Sequence, residues 1–468
     1  MPSPTPGALP RLAAAIALAL LGACSLVPHY QRPEVAVAGH WDNAATPVAR
    51  VSPQWWRDYA SAELDQLIQR ADSDSLSLQA AVARVDQARA SARVAGAALY
   101  PDLSLGGSYI HDHDSSKNAH QLYAQASYEV DFWGRNRALA DSAGAQARAS
   151  AFDLETARIG LQADIADSYF QVLSLDERLA VAQRIANDAE NILQLVQTQS
   201  RLGSASDLEV EQQRNALQGF QATVSVLAQQ RDAALYQLAV LVGAAPEGFA
   251  LQHQGLDGVQ LPEARAGLPA SLLGQRPDIQ AAEARLISAN FDVGAARAAF
   301  LPNISLGALA GGDVKTGGGL WQLLASLSQP LFDGGLLEGQ LQADRAHARE
   351  LVADYRQNVL QALQDVETQL SANARLARTQ RIDQGAVDSA RKAADLAQVR
   401  YRLGSTDFLT LLTAQRSLYQ AEDGLLQVRL QRLQASVGLN RALGGGFQAP
   451  EAGAQLASNQ PSAQATRP

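Results

Sequence analysis

The sequence predicts an α+β membrane protein in which one structural unit is used twice, with long coiled-coil helices and four strands per chain. Three observations carry that prediction. First, Arg201-Leu202-Gly203-Ser204 returns as Arg402-Leu403-Gly404-Ser405, at an offset of 201 residues. Tyr100-Pro101-Asp102-Leu103-Ser104-Leu105-Gly106 pairs with Leu301-Pro302-Asn303-Ile304-Ser305-Leu306-Gly307, and Leu78-Gln79-Ala80-Ala81-Val82-Ala83-Arg84 with Ile279-Gln280-Ala281-Ala282-Glu283-Ala284-Arg285. Such self-similarity marks a repeated unit, and its period is far too long for a small solenoid repeat. Second, residues 136–200 and 336–401 contain no proline and read as helix throughout. At 1.5 Å per residue each spans on the order of 95 Å, so it must lie along other helices rather than inside a globular core. Third, two pairs of segments of about ten residues alternate apolar and polar side chains, the pattern of a membrane strand.

The elements follow in order. Arg11 and the apolar run Leu12–Leu21 read as an export signal over residues 1–23, too short to span a bilayer. Leu21-Gly22-Ala23-Cys24 resembles a bacterial lipobox, which makes Cys24 the expected anchor carrying diacylglycerol and palmitate. It is the only cysteine, so disulfides play no part in the fold. Acyl chains add about 0.8 kcal/mol per buried methylene, enough to tether a chain. Residues 24–60, with Pro28, Pro33, Pro47, Pro53 and Trp55-Trp56, form a lipidated irregular segment.

The first repeat covers 61–250. Helical periodicity runs from Ala62 to about Leu99, where Pro101 stops it by lacking the amide donor. A hairpin follows over about 102–132. Leu122, Ala124, Ala126, Tyr128, Val130 and Phe132 form one face of its second strand, and Leu103, Leu105 and Tyr109 a weaker stripe on its first. The long helix then turns at Arg-Leu-Gly-Ser and a partner helix follows near 206–242. The second repeat, 265–446, restates this with a hairpin over about 302–331 and a partner helix near 407–443. The small residues Ala138, Ala145 and Ala149, and Ala343, Ala346 and Ala353, suit close helix approach. Residues 447–468 read as a disordered tail rich in Gly, Ala, Gln, Ser and Pro.

Composition excludes several classes. The formal charge of −9 and the lack of any basic run argue against a nucleic-acid partner. No nucleophile elbow, phosphate loop or dinucleotide fingerprint occurs, so no enzyme class is indicated. His111, Asp112, His113, Asp114 and His120 are metal-ligating residue types, with alternating strand residues on one face, but the polar stretch reads as a solvated extracellular loop with no metal assigned.

Four strands cannot close a barrel, and an open sheet edge in lipid leaves several kcal/mol of unsatisfied backbone per group. Three copies would supply twelve strands. The residues now reach a family. Pro28-His29-Tyr30-Gln31-Arg32-Pro33, Tyr128-Glu129-Val130-Asp131-Phe132-Trp133-Gly134-Arg135, Gln275-Arg276-Pro277-Asp278-Ile279-Gln280-Ala281-Ala282-Glu283 and Arg402-Leu403-Gly404 with Leu409-Thr410-Leu411-Leu412-Thr413-Ala414-Gln415-Arg416 occur in order. Over Cys24 to Gly446 the chain resembles the outer membrane factors, the TolC-like efflux ducts, and most of all their OprM/NodT-type lipoprotein branch. The resemblance implies a homotrimer. Its twelve-stranded β-barrel lies in the outer membrane and continues into a long periplasmic α-helical coiled-coil barrel. It also implies a periplasmic adaptor (a membrane fusion protein), an inner-membrane RND-type pump and export of small molecules such as drugs.

The resemblance assigns sites as well. Arg201, Leu202, Gly203, Ser204 and Arg402, Leu403, Gly404, Ser405 are expected to meet the adaptor at the periplasmic tip. Gly203 and Gly404 also sit where a helix C-terminus wants a left-handed residue. Leu409, Thr413 and Arg416, spaced four and three apart, share one helix face. In the family the matching face lines the closed periplasmic entrance. The chain carries Thr413 where relatives often carry Asp, which removes the neighbouring carboxylate from Arg416 and leaves Asp407, Asp395 or another helix as its candidate partner. Two other readings stand beside the efflux duct: the exit duct of a type I protein secretion system, and a lipid-anchored periplasmic coiled-coil scaffold without a pore. The lipobox and the Arg-Pro-Asp-Ile motif favour the first reading over secretion, and the strand alternation at 122–132 argues against the scaffold.

Overall fold

The computed structural model describes residues 26–43, 46–47, 50–111, 118–252, 255–313, 315 and 317–448. The signal segment, Cys24, the loop residues 112–117 (with Asp112, His113 and Asp114) and residues 449–468 lie outside them. The chain resolves into two compact units. One holds residues up to Val35, Val82–Asp153 and Asp278–Asn358; the other holds Ala36–Ala81, Leu154–Pro277 and residues from Val359 onward.

The elements are α1 (Ala62–Asp74), α2 (Leu76–Ala97), β1 (Asp102–His111), β2 (Asn118–Val130), α3 (Arg135–Arg201), α4 (Asp207–Leu241), α5 (Pro277–Ala298), β3 (Asn303–Asp313), β4 (Gly319–Ser328), α6 (Leu336–Arg402) and α7 (Phe408–Ala442). Three pairs of helices match exactly in length: α2 and α5 have 22 residues each, α3 and α6 have 67, α4 and α7 have 35. Each pair also begins 201 residues apart.

The periodicity read as one helix over 62–99 is two helices. Ser75 is extended, at φ −63° and ψ 121°, and separates α1 from α2. Its repeat mate Arg276, at φ −104° and ψ 120°, separates the short helix Leu272–Gln275 from α5. A close glycine contact accompanies the break in both places. Gly243, at φ +71°, packs so closely that a Cβ would lie 2.5 Å from the carbonyl oxygen of Asp74. Gly444, at φ +90°, leaves 2.1 Å to that of Gln275. Pro277 announces the second break in the sequence, whereas Leu76 conceals the first.

In the first unit the four strands form one antiparallel sheet in the order β1-β2-β3-β4. The two hairpins, more than a hundred residues apart in the chain, join through β2 and β3. The sheet therefore has two free edges, β1 and β4.

In the second unit the core gathers Trp55, Tyr59, Leu64 and Ile68 with Tyr169, Phe170, Leu173 and Leu238. Tyr59 donates to the Ser436 hydroxyl at 2.8 Å, and Ser61 Oγ lies 3.0 Å from the Tyr169 hydroxyl. The nominally irregular segment before α1 thus contributes a buried 3₁₀ turn, Trp55–Tyr59. A further cluster joins Ile192, Val196, Leu217 and Phe220 with Tyr401, Phe408, Leu411 and Leu412, tying the ends of α3, α4, α6 and α7 near the two glycine turns.

Candidate functional site

Cross-strand register decides which face each strand residue shares. Leu103 lies opposite Ala126, Leu105 opposite Ala124, and Gly107 opposite Leu122. Leu122 faces Gly312, Ala124 faces Ala310, and Tyr128 faces Leu306. Leu306 faces Ala325, Ala308 faces Leu323, and Ala310 faces Trp321. One side of the sheet is accordingly apolar across all four strands. On the other, Ser104 meets Gln125, Gln125 meets Leu309, and Leu309 meets Gln322, among Ser127, Glu129, Ser305 and Ser326. Leu103, Leu105, Trp321, Leu323 and Leu327 remain exposed in the single chain. Such a contiguous apolar face marks an interaction surface, and an apolar/polar split along each strand is the pattern of a barrel wall between lipid and water. Among the described residues no helix is long and apolar enough to cross a membrane.

The family motifs meet in space. Arg32 grips Glu283 with two hydrogen bonds, of 2.8 and 2.7 Å, and Tyr30 donates to the same carboxylate at 3.2 Å. Asn290 on α5 donates to the Pro28 carbonyl at 2.7 Å. Gly294 lets Val27 approach so closely that a Cβ would lie 2.5 Å from it. The N-terminal segment is therefore strapped along α5 by one bidentate pair and a small-residue contact. Asp131 accepts from the backbone N–H groups of Asn136 and Arg137 at 2.9 and 2.8 Å, capping α3, and Trp133 donates to the Pro302 carbonyl. Asp333 does the same for α6 through Gly335 and Leu337. These carboxylates join sheet to helix by satisfying orphan amides at each helix start.

The two glycine turns are Schellman motifs. Ser204 N–H donates to the Gln199 carbonyl and Ser405 N–H to that of Arg400, both at 2.8 Å. Gly203 and Gly404 take φ of +77° and +68°. The Ser204 and Ser405 hydroxyls donate to the same carbonyls, at 3.1 and 3.0 Å. Ser206 begins α4 with a capping box to Glu209, and Asp407 begins α7 by accepting from Thr410 N–H at 2.7 Å. Glycine and serine thus serve the turn itself. Leu202 and Leu403 do not: they stand 78% and 77% exposed. Arg201 and Arg402 are exposed beside them.

On α7, Phe408, Leu411 and Leu412 are buried in the core, whereas Leu409, Thr413 and Arg416 are exposed on the opposite side of the helix. Asp407 is occupied as a helix cap, and two backbone and side-chain hydrogen bonds from Thr410 hold its carboxyl below the usual range. Among the described residues Arg416 forms no ion pair within the chain.

One polar cluster was not singled out in the sequence. Glu422 on α7 is buried between Arg184 of α3 and Arg391 of α6, the latter at 2.7 Å. The next residue, Asp423, takes Arg178 at 2.6 Å. Consecutive acids on a helix of Gln, Leu and Arg carry no spacing signal of their own; three helices must meet before the pairing exists. Of the metal reading, only His111 (backbone alone) and His120 fall within the described residues, and no group of three metal-ligating residues is found among those described.

A family model described as "Outer membrane efflux protein" matches twice, over residues 67–244 and 268–445, again 201 residues apart. The chain is 39% identical over 456 residues to "Pyoverdine export outer membrane protein OpmQ" of Pseudomonas aeruginosa, covering 93% of this chain and 96% of that one. It is 32% identical over 461 residues to "Toluene efflux pump outer membrane protein TtgC" of Pseudomonas putida, covering 93% and 95%. Among solved structures, the open state of the Neisseria gonorrhoeae MtrE outer membrane channel superposes with a TM-score of 0.80 at 29% identity, covering 90% of this chain and 98% of that one. The VceC outer membrane protein of Vibrio cholerae gives 0.78 at 28% identity, covering 85% and 100%.

Proposed function

The chain belongs to the outer membrane efflux protein family, and we propose that it is the outer-membrane duct through which a tripartite RND-type pump exports small organic molecules. It resides in the outer membrane with a helical extension into the periplasm, and its family role is transport rather than catalysis. The observation that carries the reading is the sheet: one face apolar across all four strands, an opposite face that carries the serines, glutamines and Glu129 among a few apolar side chains, and two free edges. Free edges are intolerable in lipid, so further copies must close them, and three chains of four strands make a twelve-stranded wall. Cys24, with diacylglycerol and palmitate, would add a tether at the same membrane.

The two glycine turns are assigned to the periplasmic adaptor, because Leu202 and Leu403 are exposed apolar side chains that the cap does not need. Leu409, Thr413 and Arg416 are assigned to the periplasmic gate. Their common face is free of the core, and Arg416 has no partner within the chain among the described residues. Pyoverdine is the first cargo to assay, since the relative named for its export is 39% identical and the one named for toluene 32%.

Planar-bilayer conductance of the purified protein, with and without adaptor, tests the duct: absence of any pore under both conditions would return the reading to a periplasmic scaffold. Arg416→Ala is expected to raise the open probability, and unchanged conductance removes Arg416 from the gate. Export of a large polypeptide, with small molecules retained, would favour the secretion exit instead.

A further inference from the structure

On the more polar face of the sheet one row departs from its neighbours. Gly106, Tyr123, Gly311 and Leu320 lie side by side across β1, β2, β3 and β4, so Tyr123 has a glycine on either hand. A Cβ at Gly106 would stand 2.7 Å from Cε2 of Tyr123, 2.7 Å from its Cζ and 2.8 Å from its Oη. Within the ring plane, the point equally far from those three atoms is only a bond length away from them, so the Gly106 position lies over the face of the ring. The phenol end therefore rests face-down on Gly106, where any side chain would lift it. At Gly311 a Cβ would stand 2.6 Å from that of Tyr123. Glycine inside a strand marks such close approach.

A ring laid flat keeps one face on the wall and turns the other away from the sheet. Tyr123 is half-buried, and among the described residues it is the only aromatic side chain on this face of the four strands. Its hydroxyl makes no hydrogen bond within the chain, and no second ring lies against it, again among the described residues. Gln121 and Gln125 flank it along β2, with Ser104, Ser108 and Gln322 beyond them on the same face. Covering a glycine on an edge strand is one service of the ring. A large aliphatic side chain would cover Gly106 as well. A π face open among polar side chains adds something else: it attracts planar aromatic solutes by offset stacking, and cations through the ring quadrupole.

We propose that Tyr123 is a stacking site on the inner wall of the duct for planar aromatic molecules in transit. The proposal rests on the duct reading above and names a class of cargo for it. Gly106 sets the geometry: by leaving room for the ring to lie down, it presents the free face to the lumen instead of letting the ring stand across it. A passing aromatic solute slides over that face and displaces only water. One ring holds it weakly, which suits a channel, since a site must be favourable enough to enter and weak enough to leave.

Fluorescence titration of ethidium, a planar aromatic cation, into the purified protein in detergent tests it. Tyr123→Phe keeps the π face and is expected to bind as the parent does. Tyr123→Leu keeps an apolar cover over Gly106 without a π face, and is expected to bind at least about 5-fold more weakly, the lower end of what one stacking contact contributes. Native mass and melting temperature are followed for each variant, and Tyr123→Ile serves the same comparison if the leucine variant does not assemble. Aliphatic variants that bind as tightly as the parent overturn the proposal. So does a phenylalanine variant as weak as the leucine one, because the hydroxyl and not the ring face would then hold the probe. A parent that shows no saturable binding overturns it too. Bilayer conductance separates the two readings: Tyr123-dependent binding without any pore would remove the duct, whereas a pore without such binding removes only the stacking site.

Discussion

The turn leucines make the sharpest test of adaptor docking, because their fold cost and their binding cost separate cleanly. Leu202 and Leu403 are 78% and 77% exposed, and no backbone feature of either Schellman turn uses their side chains. Replacing either by alanine should therefore leave thermal stability within about 0.5 kcal/mol of the parent, the usual range for surface sites. Burying an exposed leucine contributes about 1.5–3 kcal/mol. With some three quarters of each side chain available, its loss from a docked interface should cost roughly 1–2 kcal/mol per turn, or about 5- to 30-fold in Kd. Leu202→Ala/Leu403→Ala should then weaken adaptor binding about 10²-fold if the turns act independently. The measurement is Kd by surface plasmon resonance against the pump's adaptor, with native mass and melting temperature in parallel. Unchanged Kd in the double variant refutes the reasoning; so does a weakened Kd accompanied by a lost trimer, since the effect would then be structural.

Gly404→Ala meets nothing within 4 Å and should cost only the left-handed backbone penalty, about 1–2 kcal/mol, whereas Gly444→Ala, with 2.1 Å to the Gln275 oxygen, should melt far lower or fail to fold; equal melting temperatures would contradict this. Burial raises the Asp167 carboxyl to about 7 against the pull of Arg441, and Asp164 adds to the rise. A folded value above the unfolded 3.8 means that this contribution to stability is whole below about pH 4 and lost as pH rises through 7. Asp167→Asn should therefore gain on the parent as pH increases, by up to about 4 kcal/mol above pH 8, and a pH-independent difference in melting would disprove it. At Glu422, removing both Arg184 and Arg391 strands a buried carboxylate and should cost about 3 kcal/mol, more than Glu422→Gln does; the reverse order in denaturant midpoints would show that the cluster is not buried in solution.

Much of this was legible in the chain because its signals are local or periodic. Proline-free runs, strand alternation and the glycine turns each need only a short window of sequence. The duplication multiplied them, since a weak stripe such as Leu103, Leu105 and Tyr109 gains weight when it recurs 201 residues later. The gate face was legible as spacing, through Leu409, Thr413 and Arg416. What could not be seen was anything requiring distant segments to meet. The break at Ser75 falls where Gly243 comes close to the Asp74 carbonyl, a contact that no short window of sequence contains. Glu422 lies 238 and 31 residues from the arginines that neutralise it.

By itself, then, the sequence determined the inventory: two copies of one unit, helix lengths set by where proline and glycine fall, and strands whose period of two commits one face to lipid. These are consequences of backbone sterics and of hydrophobic pattern, which act residue by residue. The tertiary structure decided how the copies join. It brought β2 against β3, strapped Arg32 to Glu283, and laid the Tyr123 ring over Gly106. Contacts of that kind depend on loop closure and on which surfaces remain unburied once nearer partners are taken. A repeated sequence offers each segment more than one like partner, and only the folded chain shows which of them it takes.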